Sequence, residues 1–269
     1  MSKKHDRQSF LGAKSEETIK NLRAAIVGLG GGGSHIAQQL AHVGVGNLFL
    51  FDFDAVDEEG TNLNRLVGAT EADAADGTLK VEVAKQRITA IDSTINVIAF
   101  SSPWQNNHEH LRYCDVIFGC VDSLLQRRDL ESAARRFLVP YIDIGMDVHE
   151  MEQGYFVIGG QVVLSMPGQP CMRCLGILRE DALAAEAAEY GAAGSRPQVI
   201  WSNGVLASAA VGIFMQLVTP WGKEHNKTIL LEYDGNCQTV SLSNKLKYLN
   251  DIKCSHYLTQ QELGDPFLE

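Results

Sequence analysis

The chain has 269 residues, 45% of them hydrophobic, and its 33 acidic against 23 basic side chains give a formal net charge of -10. That apolar share can bury a full core, as one α/β domain with an appendage or as two intimate lobes. The acidic balance counts against a nucleic-acid surface, which usually shows as a basic patch. The opening MSKKHDRQSF lacks the apolar core of a signal peptide, so a cytoplasmic protein is expected, with its six cysteines as thiols or metal ligands rather than disulfides.

Arg7-Gln8 stand before residues 10–22, whose spacing predicts an amphipathic helix; taken alone, Arg7 reads as a solvated terminal charge. Residues 24–27 are a short β-forming run that stops at Gly28. Gly28, Gly30 and Gly33 then supply G-x-G-x-x-G at the entry to a helical pattern over 34–43, with Ile36, Leu40 and Val43 on one face. The first glycine permits the tight turn, the second lets backbone approach a phosphate, and the third lets the helix pack close to the strand. The helix N-terminus presents free N–H groups to the anion. Residues 48–51 form a second strand ending at Asp52, placed to hold ribose hydroxyls.

By itself this unit fits a dinucleotide-binding dehydrogenase, or a glycine-rich turn with no ligand. The continuation separates these readings: Asn62-Leu63-Asn64-Arg65 follows, and Lys80 opens a helix over 80–91. A dehydrogenase needs no arginine and lysine gathered at the phosphate end, whereas cleavage of a triphosphate does. Glu58 and Glu59 would repel phosphates and are expected to point outward.

Residues 94–100 and 115–119 read as further strands. Asp122 follows the second of these, where ligands sit in open α/β sheets; on position alone it either binds a metal or caps the helix over 123–137. Arg127, Arg128, Arg135 and Arg136 read as that helix's solvated face. Residues 141–144 close the parallel portion, and 155–165 and 228–242 are expected as antiparallel strands. Cys171 and Cys174 form a C-x-x-C that is either redox-active or half of a zinc site. No thioredoxin-like strand leads into a helix here, which favours zinc, with Cys254 and then His256 as the distant half. Cys114, Cys120 and Cys237 read as buried thiols. Residues 181–194 are a helix or a mobile crossover loop. Residues 199–218 are long and apolar enough for a bilayer span, but their polar and small side chains and the lack of a basic flank predict a buried helix crossing a sheet, with no membrane.

Taken together, Arg7-Gln8, Gly28 to Gly33 with Gly31 included, Asp52-Phe53-Asp54, Asn62-Leu63-Asn64-Arg65, Lys80-Val81-Glu82, Cys120-Val121-Asp122 and the Cys171/Cys174 pair resemble the ThiF/MoeB/HesA adenylyltransferases, bacterial relatives of ubiquitin-activating enzymes. The resemblance implies adenylation of the C-terminal carboxylate of a small ubiquitin-like or sulfur-carrier protein with a Gly-Gly tail, using ATP and Mg2+, in a homodimer. It assigns nucleotide binding to the glycine loop (Gly28, Gly30, Gly31, Gly33) with Asp52 and Asp54, the ribose to Asp52, and the phosphates to Asn62, Arg65 and Lys80. It gives magnesium to Asp122, zinc to Cys171, Cys174, Cys254 and His256, and a γ-phosphate contact from the second subunit to Arg7.

The implied architecture is α/β: a Rossmann-like, mostly parallel sheet with helices on both faces, extended by antiparallel strands, with a crossover loop and a small zinc site. It divides as an arm over 1–22, an ATP-binding lobe over 23–150, and an antiparallel extension over 151–269 within one integrated domain. Leu66 stands where the family often has glutamine, Ser123 where it often has asparagine, and Tyr257 where a second cysteine of the C-terminal pair is usual. No cysteine lies between Cys174 and Cys237, the span in which thioester-forming relatives carry theirs, so the chain is expected to stop at the adenylate or hand it to a separate acceptor. Adenylation of a short peptide or a modified tRNA base, or a non-catalytic scaffold, are the alternatives.

Overall fold

Short apolar runs bounded by turns become strands that are buried on both faces, which requires helices above and below. The computed structural model describes residues 3–188, 197–222, 227–249, 252 and 254–257. Strands β1 (Arg23–Val27), β2 (Asn47–Phe51), β3 (Asn96–Phe100), β4 (Val116–Gly119), β5 (Tyr141–Glu150), β6 (Phe156–Ser165), β7 (Ile229–Asp234) and β8 (Thr239–Leu242) form one sheet in the order β3-β2-β1-β4-β5-β6-β7-β8. β1 to β5 are parallel, and β6, β7 and β8 add antiparallel to the β5 edge. The fifth strand continues to Glu150, past the expected end at 144, because β6 pairs with its whole length.

The helices are α1 (Ser15–Asn21), α2 (Gly31–Val43), α3 (Glu71–Ala75), α4 (Lys80–Ile91), α5 (Leu124–Arg136), α6 (Glu180–Ala188) and α7 (Ile200–Val218). Alternate strand residues face opposite layers, as a period of two requires. Ala24, Ile26, Leu48 and Leu50 pack with α2, α4 and α7, whereas Ala25, Val27, Phe49 and Phe51 pack with α5 and the 3-10 helix Trp104–Tyr113. The apolar helix over 199–218 is thus a layer against the sheet; by length and composition it could span a membrane, and half of its most apolar window is buried.

Three local expectations fail for identifiable reasons. The helix expected over 10–22 is a 3-10 helix, Lys3–Leu11, followed by α1, because the chain turns at Gly12 and Ser15 Oγ donates to Leu11 O at 2.6 Å; Phe10 is left exposed, edge-on to Trp221. Cys237 is exposed in the turn after β7, not buried. Arg127 and Arg135 are not solvated: they lie on the inner face of α5 with Leu130, Glu131 and Ala134, each held by a buried acid. Of the expected helix or crossover loop, residues 181–188 are α6 and 189–194 lie outside the described residues.

Candidate active site

Strand order reverses between β1 and β4, and a crevice opens outside their carboxyl ends, the place where open α/β sheets bind ligands. A cavity of about 270 Å3 occupies it, lined by Gly28, Gly30 to Gly32, Asp52, Asp54, Arg65, Lys80, Asp122 and Arg127 among others. Its floor is the glycine loop. Gly28 has φ +87 and sits so close to β4 that a Cβ would stand 2.5 Å from Cys120 O. Gly33 lies against the turn itself, where a Cβ would overlap Gly28 O, so α2 starts hard against β1 with its N-terminus aimed into the cavity. Gly30 faces open space, and Gly31 and Gly32 belong to the lining while Gly33 lies behind it.

Asp52 ends β2 and braces the loop: Oδ2 accepts from Leu29 N at 2.6 Å and Oδ1 from Asp54 N at 2.9 Å. Burial pushes its pKa up, opposed by Lys80 and by these two donors. Each carboxylate oxygen retains acceptor capacity for a sugar hydroxyl. Lys80 opens α4 and reaches back, its Nζ 2.6 Å from Asp54 Oδ2. Ser34 of α2 accepts from Val67 N at 3.1 Å, which ties the loop bearing Arg65 to the glycine-rich helix end. Among the described residues Arg65 itself makes only long hydrogen bonds, 3.4 Å to Thr61 O and 3.5 Å to Asn64 Oδ1.

Asn62 is buried under that loop, not on the cavity wall; its side chain accepts from Asp57 N and its carbonyl takes Arg65 N and Leu66 N. In this structure it shapes the segment that carries Arg65. Glu58 and Glu59 are exposed, as charge repulsion requires.

Asp122 is exposed at the end of β4, and Oδ1 accepts from Gln198 Nε2 at 3.0 Å. It does not cap α5: Ser123 does, accepting from Gln126 N, while Glu186 of α6 takes the N–H groups of Leu124 and Leu125 and the Ser123 hydroxyl. Asp122 thus takes no part in the cap and lines the cavity instead. Arg127 was missed as a cavity residue; its spacing on the Leu130/Ala134 face of α5 is the signal that reveals it.

Arg7 is exposed, on a 3-10 helix packed at the other ends of the strands, where Lys4 pairs with Asp92 at 2.6 Å and His5 lies against Gly44. Lys4 and its own hydroxyl contacts hold the Asp92 carboxyl well below the usual carboxylate range.

A second cluster sits on the α5 face. One ligand atom each from Cys171, Cys174, Cys254 and His256 lie within 4.8 Å of one another. The two cysteine sulfurs of the C-x-x-C are 3.6 Å apart and each is 3.4 Å from His256 Nδ1. Tetrahedral zinc with bonds of about 2.3 Å to sulfur and 2.0 Å to nitrogen places such atoms about 3.5–3.8 Å apart, so the donor set fits. His256 is the fourth member of the cluster, with Tyr257 beside it. Tyr257 stacks on Arg135, its ring centroid 4.8 Å from the guanidinium carbon, and its hydroxyl is 3.4 Å from Glu131. Glu131, fully buried, also accepts from Met172 N at 2.8 Å and from Ser165. The cysteine-bearing turn is therefore hydrogen-bonded to α5.

The ThiF family model matches residues 3–254. The chain belongs to the ThiF family. Among the relatives of this ThiF protein, the molybdopterin-synthase adenylyltransferase of Escherichia coli K12 is 30% identical over 83% of each chain. The ubiquitin-like modifier-activating enzyme 5 of Dictyostelium discoideum is 29% identical over 59% of this chain and 42% of its own. In fold, the chain is similar to E. coli MccB crystallised with ATP, with a TM-score of 0.70 at 21% identity over 91% of this chain and 72% of that one. The family's adenylyltransferases imply ATP and Mg2+, and the Cys/His cluster is one that could bind zinc.

Proposed function

We propose that this ThiF protein adenylates the C-terminal carboxylate of a small ubiquitin-like or sulfur-carrier protein ending in Gly-Gly, releasing pyrophosphate. The observation that carries the reading is the convergence of Arg65, Lys80 and Asp122 on one cavity with the glycine loop, in a member of a family whose matched relatives are named adenylyltransferases. A scaffold has no use for such a clamp.

The attacking carboxylate is ionised at neutral pH, so no general base is needed. One of its oxygens forms a bond to the α-phosphorus while the bond from that phosphorus to the pyrophosphate oxygen breaks, and pyrophosphate departs with the electron pair. The barrier lies in bringing anion to anion and in the charge that gathers on the leaving group, which fixed cations and backbone donors stabilise. Asp52 would hold the ribose, and the α2 N-terminus, Arg65 and Lys80 the phosphates. Asp122 would hold magnesium, which when bound supplies further positive charge to the phosphate oxygens. For Lys80 to do this it must exchange Asp54 for phosphate; Asp54 is half exposed, so the exchange is inexpensive.

Arg7 supports a homodimer in this reading. The arm lies across the length of β2 from the cavity, about 16 Å for five residues, beyond the reach of one side chain. A second subunit would have to supply it. The cysteines support a reaction without an internal thioester: Cys114 is buried with its pKa pushed up to about 12, Cys120 is half-buried in the cavity wall, where desolvation also pushes its pKa up, and three more belong to the Cys/His cluster. Asp234 raises the pKa of exposed Cys237.

The test is ATP–pyrophosphate exchange against a panel of small proteins ending in Gly-Gly. Exchange is expected to depend on one of them and to leave no reducible adduct on this chain. Exchange with none would reject the substrate class, and a reducible adduct would reject the absence of a thioester.

A further inference from the structure

We propose that Arg127 receives the terminal carboxylate of the acyl substrate, an assignment that rests on the adenylation reading above. The phosphate-facing cations stand on one side of the glycine loop: Lys80 against Asp54 just after β2, and Arg65 on the loop tied to α2. Arg127 stands on the other side. Its Nε donates to Val121 O at 3.1 Å after β4, and its Nη1 to Asp143 Oδ2 at 2.6 Å on β5.

An in-line displacement brings the nucleophile in opposite the leaving group. With pyrophosphate held by Arg65 and Lys80, the carboxylate must enter from the β4–β5 side, past Asp122 and toward an anionic phosphate. A cation there offsets both repulsions. Arg127 is placed for this and is built into the fold: it is 7% exposed, it lines the cavity, and among the described residues its hydrogen bonds run from Nε and Nη1. The guanidinium packs against Gly145, where a Cβ would come within 2.6 Å of Nη1 and 2.9 Å of Nη2. Across β5, on the face toward α2 and α7, the same cavity is lined by apolar Ile144, Met146 and Leu206, which suits a slender tail without side chains. Asp143, itself hydrogen-bonded by Tyr141 OH at 2.9 Å, aims the fork. An arginine presents donors in a fixed plane matched to a carboxylate, which lysine does not.

A purely structural Arg127–Asp143 pair makes a different prediction, so the test uses the substrate's own charge. A synthetic peptide ending in Gly-Gly, as free acid and as C-terminal amide, is titrated by calorimetry with the α,β-methylene analogue of ATP present. The native chain is expected to prefer the acid by about tenfold or more, the scale of one charged hydrogen bond. Arg127→Gln is expected to bring the ratio to within about twofold while the nucleotide still binds. Arg127→Lys, which keeps a cation against Asp143 should the glutamine variant not fold, is expected to lower it to about threefold. Asp143→Asn, which disturbs the pair but keeps the guanidinium, is expected to retain the preference.

A preference that survives in Arg127→Gln, or a native chain that binds the nucleotide yet treats acid and amide alike, would overturn the assignment. Equal loss in Asp143→Asn and Arg127→Gln would do so as well, by tracing the effect to the pair. Failure of the native chain to bind the nucleotide at all would instead remove the adenylation reading beneath it.

Discussion

Alanine at Arg65, Lys80 or Asp122 is expected to lower carboxylate-dependent ATP–pyrophosphate exchange by about a hundredfold each, the usual loss on deleting one fixed electrostatic contact to a developing charge, on the order of 3 kcal/mol. The fold should survive all three. Among the described residues Arg65 makes no hydrogen bond shorter than 3.4 Å, Asp122 is exposed and bonded to Gln198, and Lys80 pairs with a half-exposed Asp54. Thermal midpoints should therefore move little, since such sites stay within about 1 kcal/mol. The three should differ in one respect. In the proposed reaction Arg65 and Lys80 would face the phosphates from the β2 side, so their loss should weaken nucleotide binding, while Asp122 should act mainly on turnover. Near-normal exchange in all three, with native melting curves, would reject the assignment of this cavity.

Removing the metal is expected to have the second large effect, on stability and not on chemistry. Cys171, Cys174, Cys254 and His256 offer four donors within 4.8 Å of one another, the number a closed tetrahedral zinc site takes, so a bound ion would have no open position for chemistry. They join the turn after β6 to a segment from the far end of the described chain. A ligand at a thousandfold its dissociation constant adds about 4 kcal/mol, which for a chain of this size is roughly 10 °C in the melting midpoint. Chelation or Cys174→Ser should therefore lower the midpoint by about that amount and abolish a one-to-one zinc content measured by elemental analysis. Part of the docking should remain, because Tyr257 still stacks on Arg135 and meets Glu131. A native chain purified without zinc and melting unchanged with chelator would contradict this.

The floor of the site was legible because glycine spacing records backbone geometry directly: Gly28 and Gly33 are glycine since nothing larger fits beside Cys120 O and Gly28 O. The first five strands were legible for a related reason, being apolar runs cut off by turns. Arg127 and Arg135 were not, because charge in a helix was read as solvation, and what buries them comes from elsewhere in the chain: Asp143 on the next strand, and Ser165 and Pro170 at and beyond the end of β6. The i, i+3, i+4, i+7 and i+8 positions 127, 130, 131, 134 and 135 do mark one inner face, and Leu130 and Ala134 would have betrayed it. The helix expected over 10–22 failed on Gly12 and on Phe10, whose partner Trp221 lies at the other end of the sequence. The resemblance assigns Asn62 to the phosphates, and its hydrogen bonds from Asp57, Arg65 and Leu66, which shape the Arg65 loop, are not recorded in any sequence pattern.

The central claim is that an oxygen of a peptide-terminal carboxylate becomes bonded to the α-phosphorus of ATP in this cavity. The measurement closest to it is isotope transfer. A carrier protein labelled with 18O in its terminal carboxylate is incubated with the chain and ATP, the adenylate is allowed to hydrolyse, and the AMP is weighed by mass spectrometry. The account predicts AMP carrying one 18O atom and unlabelled pyrophosphate. AMP without label, or label found in orthophosphate alongside ADP, would contradict it.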